Sequence, residues 1–215
     1  MANHSNLLIV EGKNDFHVML ALRDKLQMKT IYGVDQKEND DQLLKSIPAE
    51  LNVSGRKCLG IILDADPDSN RWEQLKGTLS TRGYDMTDEA SPSGSILPSP
   101  ELGLPKVGIW LMPDNQKAGM LEDFMQLLIP ENDECLVFAE ETLQALEEKE
   151  IQRYKEVHRS KALIHTWIAW QDQPGIPLGQ STTRYLDINT ELCQKFADWL
   201  NRLFSDKEEK TGSAN

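Results

Sequence analysis

The apolar positions of this chain fall into short runs that end on acids, alternating with segments of helical spacing. NLLIV (6–10) is almost wholly apolar and leads straight into Glu11, Gly12, Lys13 and Asp15. A run so short and so apolar predicts a strand covered on both faces. FHVMLALRDKLQ then spaces its apolar residues by three and four, which predicts a helix packed on that strand. TIYGVD (30–35) reads as a second strand. DDQLLKSIPAEL reads as a second helix, whose later part Pro48 is expected to disturb. CLGIILDAD (58–66) repeats the opening pattern, and DSNRWEQLKGTLSTRG predicts a helix closed at Gly83. The Pro-, Gly- and Ser-rich stretch from Ser91 to Pro105 predicts loop with an irregular hairpin. KVGIWLMPDN (106–115) is a further strand ending in an acid, and GMLEDFMQLLI begins a helix just after Gly119. Three more helices are expected around ETLQALEEKEIQRY, KALIHTWIAW and TELCQKFADWLNRLF, before a polar tail, DKEEKTGSAN.

Strand and helix alternating in this way imply right-handed crossovers and a mainly parallel sheet flanked by helices, an α/β fold. The expected organisation is an α/β domain over 1–130 and a helical extension over 131–205 packed on the same domain. Residues 206–215 are expected to form a disordered tail.

Composition narrows the function. At 215 residues, 39% hydrophobic and 27% charged, this is an ordinary globular chain. No apolar run approaches the roughly 20 residues that span a bilayer, and the first residues, MANHSN, lack a secretion signal, so no membrane association and a cytoplasmic location are expected. Cys58, Cys135 and Cys193 are few and far apart, which suits a reducing compartment and excludes a Cys-based zinc module. The net charge of −12 weighs against binding nucleic acid through a broadly basic surface. Residues 131–150 carry eight acids against one base. That run reads as a solvated helix face, with an interaction surface as the alternative. Phosphates must then be met through bound cations, a partner, or a local basic spot such as Arg153, Lys155, Arg159 and Lys161.

The candidate chemistry lies in the acids. Glu11, Asp64 with Asp66, and Asp114 each follow an apolar strand. In an open parallel sheet, functional groups gather at the carboxyl ends of strands, near the point where strand order reverses. Two carboxylates about 4 Å apart repel by about 4 kcal/mol at an effective dielectric of 20. Convergent acids therefore call for a cation, and oxygen-only ligands favour Mg2+ or Mn2+ over zinc. Taken singly, an acid after a strand is as readily a helix cap.

VEGKND and LDADPDSN together resemble the TOPRIM domain, the metal-binding α/β module of topoisomerases, bacterial-type primases and several nucleases. The resemblance covers about residues 5 to 130. Glu11 matches the invariant glutamate of that family, and Asp64 and Asp66 match its D-x-D pair. GMLEDF is similar to the segment after the last strand in OLD-family nucleases, where Glu122 matches a ligand of the second metal. SKALIHTWIA resembles their late helix, with Lys161 in place of its lysine. The whole chain looks most like small stand-alone bacterial TOPRIM-like proteins.

The resemblance implies a Mg2+- or Mn2+-dependent nuclease acting on DNA or RNA. Glu11, Asp64 and Asp68 would hold one ion. Asp66 and Glu122, with Asp123 or Asp114, would hold the other, the two ions about 3.5 to 4 Å apart. Lys161 would offer a fixed positive charge to the transition state, and Lys13 would meet a neighbouring phosphate. No G-x-x-x-x-G-K-[ST] loop occurs, so any ATPase would be a partner protein. The alternative class is a binding or sensor module for nucleotide, metal or partner, without catalysis, and a homo-oligomer is compatible with either. His17, His158 and His165 read as helix-surface residues first, and Trp167 and Trp170 as packing rather than base-stacking groups.

Overall fold

The computed structural model describes residues 4–65 and 70–205. The chain runs β1 (Asn6–Val10), α1 (Lys13–Lys25), β2 (Gly33–Gln36), α2 (Asp40–Leu51), β3 (Cys58–Asp64), α3 (Arg71–Ser80), β4 (Ser95–Leu97) and β5 (Lys106–Met112). Five helices follow: α4 (Leu121–Gln126), α5 (Glu134–Glu148), α6 (Arg159–Ala169), α7 (Leu178–Tyr185) and α8 (Glu191–Phe204). The strands form one sheet in the order β2-β1-β3-β5-β4. Every pairing is parallel except β4 with β5, so the hairpin expected within Ser91–Pro105 forms instead between that stretch and the strand that follows it.

Alternation along the strands explains the two layers. Leu7 and Ile9 face a core shared with Leu43, Ile47 and Leu51 of α2 and Leu75 and Leu79 of α3. Leu8 and Val10 face the opposite core, with Val18, Met19 and Leu22 of α1 and Phe196, Trp199, Leu203 and Phe204 of α8. Each buried aliphatic side chain of this kind contributes about 1.5–3 kcal/mol. The helices after Pro130 are thus one covering layer of the sheet. α8 sits close because Gly60 and Gly108, paired across β3 and β5, leave room for Leu203. A Cβ on Gly108 would stand 2.6 Å from a Leu203 methyl, the close approach that a glycine inside a strand marks.

Two elements depart from the expected pattern. α2 runs unbroken through Pro48, because Leu43, Ile47 and Leu51 on one face are all fully buried. Their burial outweighs the roughly 3 kcal/mol that an interior proline costs. α7 was not expected: LGQSTTRY is poor in helix formers. It is held by packing on α1, where Gly179 lies so near that a Cβ would stand 2.9 Å from the His17 carbonyl oxygen. Lys25 adds a donor to the Thr182 carbonyl at 3.2 Å.

Strand order decides where a site can form. From β1 the chain steps to β2 on one side and then returns to β3 on the other. The carboxyl ends of β1 and β3 therefore flank the reversal of strand order, where open α/β sheets place their ligands. Among the described residues no helix is long and apolar enough to cross a membrane. The proposed tail, 206–215, lies outside the described residues.

Candidate metal centre

Glu11 leaves the end of β1 and reaches its neighbour: its Oε1 accepts the backbone N–H of Asp64 at 2.7 Å. Asp64 Oδ1 in turn accepts the N–H of Leu121 at 3.0 Å, in the first turn of α4. Ala65 and Gly119 exchange two backbone hydrogen bonds, each 2.9 Å. The chain leaving β3 is thereby stitched to the chain entering α4, which delivers Glu122 to the end of β3.

Asp15 completes the group. It is the third residue of α1, one helical turn beyond Glu11, and the backbone N–H groups of Gly12 and of Asp15 itself favour its charged form. Read locally, it is a helix-start acid that takes the N–H of the N-cap residue Gly12. Read in three dimensions, it faces Glu11, Asp64 and Glu122 closely enough to repel them.

The electrostatics are those of buried acids lacking enough positive charge. Burial pushes the Asp64 carboxyl up to about 9, and Glu11, Asp15 and Glu122 add their repulsion. Burial pushes Glu11 up to about 7 against the Asp64 N–H, with Asp15 and Asp40 adding and Arg71 opposing. Asp15 rises to about 6, chiefly by burial and then by Glu122, with Lys161 opposing. Glu122 is 2% exposed; burial raises it and Lys161 draws it back. Lys161 lies on an exposed part of α6, so water screens its attraction.

Four carboxylates make an oxygen-only donor set, the chemistry that hard dications take. A dication bound there would offset the repulsion that raises these acids, which is how such a donor set would suit the ion. Among the described residues no three acid, histidine or cysteine side chains are already drawn together as an ion cage. Glu11 and Asp64 each commit one oxygen to a backbone N–H and keep the other. Asp66 and Asp68 lie outside the described residues.

The remaining candidates divide. Asp114 Oδ1 accepts from the N–H groups of Gln116 at 3.0 Å and Lys117 at 2.9 Å, so it closes a turn after β5. Asp123 accepts from the Met120 N–H at 2.8 Å and from the Ser160 hydroxyl. Lys13 is the exposed first residue of α1. Arg159 of the basic cluster pairs with Glu140 and Glu147, each at 2.8 Å, and ties α6 to α5. His17, His158 and His165 are exposed. Trp167 is buried with its indole N–H on Asp133 at 3.1 Å, a packing role, whereas Trp170 is 40% exposed beside Phe138. Sequence reading passed over Asp15 and Ser160. The spacing E-G-K-x-D, which sets an acid one turn after Glu11, was the available signal for the first; nothing local marks the second.

A family model described as a protein of unknown function (DUF3226) matches residues 5–205. No curated protein and no solved structure matches the chain.

Proposed function

The chain belongs to the DUF3226 family, and from the acids gathered at its strand ends we propose that it is a metal-dependent phosphodiesterase acting on DNA or RNA, on a TOPRIM-like scaffold. One observation carries the reading. Glu11 and Asp64, at the ends of neighbouring strands on either side of the strand-order reversal, are joined by a hydrogen bond, and Asp15 and Glu122 press on them electrostatically. Acids kept together at such a cost to burial imply a counter-charge that the chain itself does not supply in full. The TOPRIM resemblance of VEGKND and LDADPDSN points the same way.

Glu11, Asp15, Asp64 and Glu122 would hold Mg2+ or Mn2+, together with Asp66 and Asp68 from the adjoining segment. The ion, when bound, supplies Lewis-acid polarisation of a phosphoryl oxygen. The rest of the work belongs to the chain. Hydrolysis adds water across a P–O bond and gathers negative charge on the non-bridging oxygens. Lys161 brings a positive charge to that region, where loss of one such electrostatic contact typically costs about 10² to 10³ in rate. Lys13, exposed at the start of α1, would bind the next phosphate as a point charge. The Asp64 N–H holds Glu11 in one orientation, so the acid needs no reorganisation when an ion or substrate arrives. An ATPase, if one takes part, is a separate protein.

The test uses Glu11→Gln and Asp64→Asn, which keep shape and remove charge. Each is expected to abolish manganese-dependent nicking of plasmid DNA or RNA by the purified chain while circular dichroism stays unchanged. Nicking that survives in both variants rules the site out. Calorimetric binding of Mn2+ by the wild type without any nicking would instead make the protein a binding module.

A further inference from the structure

We infer that Asp123 and Ser160 form a clip that positions Lys161 against the acid cluster, and that Asp123 is a positioning residue rather than an ion ligand. Its consequence for catalysis rests on the proposed phosphodiesterase reading; the clip itself does not.

Both oxygens of Asp123 are engaged. Oδ2 takes the Met120 N–H at 2.8 Å, closing the first turn of α4, and Oδ1 takes the Ser160 hydroxyl from the first turn of α6. The surroundings are tight: a Cβ on Gly119 would stand 2.8 Å from Asp123 Oδ2 and 2.9 Å from Pro113 Cδ. A carboxylate so enclosed and so satisfied has little to offer an incoming ion. Asp15, at the same third position of α1, also takes a backbone N–H at its helix start, yet it lies close enough to Asp64 and Glu122 to repel them.

Sequence adjacency makes the clip consequential. Glu122 precedes Asp123, and Lys161 follows Ser160. One hydrogen bond between 123 and 160 therefore ties the backbone that carries Glu122 to the backbone that carries Lys161, and the charge of Lys161 is felt by both Glu122 and Asp15. The other polar ties at this end of α6 run elsewhere: Arg159 reaches Glu140 and Glu147 of α5. A lysine is a flexible point charge whose placement depends on its backbone anchor, and a misplacement of about 1 Å at a reacting centre can cost about 10² in rate.

The experiment compares Ser160→Ala, Ser160→Thr, Lys161→Met, the Ser160→Ala/Lys161→Met double variant and Asp123→Asn in the full chain. The first readout needs no activity: acylation of Lys161 by an N-hydroxysuccinimide ester, followed by mass spectrometry. It is expected to quicken about five-fold in Ser160→Ala, the factor for loss of one hydrogen bond, and to stay at the wild-type rate in Ser160→Thr. Manganese-dependent nicking is expected to fall about ten-fold in kcat in Ser160→Ala, to recover in Ser160→Thr, and to drop no further when Ser160→Ala is added to Lys161→Met. Calorimetric Mn2+ affinity is expected to stay within about two-fold in Asp123→Asn, while Asp64→Asn, measured alongside, falls by about ten-fold or more. Unchanged acylation in Ser160→Ala, a Ser160→Ala effect that persists beside Lys161→Met, or a ten-fold loss of Mn2+ affinity in Asp123→Asn overturns the clip. A wild type that does not nick removes the phosphodiesterase reading alone, and acylation still decides the clip.

Discussion

Asp64 is the residue on which the electrostatics of the site turn. Its carboxyl is pushed up to about 9 and that of Glu11 to about 7, both by burial first. A raised carboxyl favours the folded state below the unfolded range near 4, and that contribution is lost as pH climbs through about 7 and then 9. Metal-free wild type should therefore lose stability between pH 5 and 9 relative to Asp64→Asn, which carries no charge to bury. At pH 8 thermal unfolding should show the variant melting about 2–4 °C higher for each kcal/mol relieved. A variant that melts lower at pH 8 would refute burial and repulsion as the cause. Mn2+ at about 100 times its Kd should stabilise the wild type by about 2.7 kcal/mol and leave Asp64→Asn nearly unmoved. At this scale the sequence marked Glu11 and Asp64 by their place after apolar runs, and Glu122 by the resemblance of GMLEDF to the OLD-family segment. Asp15 was hidden because a helix-start acid has an ordinary local purpose.

At the scale of elements, the closeness of α8 to the sheet depends on two glycines side by side. Gly60 and Gly108 are partners across β3 and β5, and Leu203, fully buried, fills the space that they leave. Gly108→Ala should cost about 1–3 kcal/mol by overpacking, measured as a fall in the urea midpoint at unchanged slope. Combined with Leu203→Ala the cost should be smaller than the sum of the two single variants, because each relieves the strain of the other. Equal additivity would mean that the glycines do not set this distance. Most elements were legible from periodicity alone: every strand proposed from an apolar run is present within a few residues. α7 was not, since its helix comes from contact with α1 rather than from propensity. Pro48 misled in the opposite direction, because tertiary burial outweighed a local penalty.

Across the whole molecule, the two cores are unequal in how they are built. The face under α2 and α3 is closed by residues before position 112, whereas the opposite face depends on α8 and its neighbours near the end of the chain. A chain cut after Ile129 should therefore fail to unfold cooperatively and should bind a hydrophobic dye, because Trp110, Val10 and Leu8 would lose their cover of Phe196, Trp199 and Phe204. A sharp thermal transition in that fragment would show that the sheet stands without its second layer. The site belongs to this scale too, for the charge of Lys161 is felt by Glu122 and Asp15 because α6 is docked on α4.

The order of apolar runs, the helical spacings and the acids after strands were determined by the sequence itself, because periods of two and of three to four residues are written in neighbouring positions. Only the folded chain decided which of those acids meet. Strand order, the Ala65–Gly119 stitch and the docking of α6 on α4 arise from contacts between distant residues, so Ser160 met Asp123 with no local pattern to mark it, Asp15 came near acids that the spacing E-G-K-x-D signals only in part, and Asp114 was given to a turn.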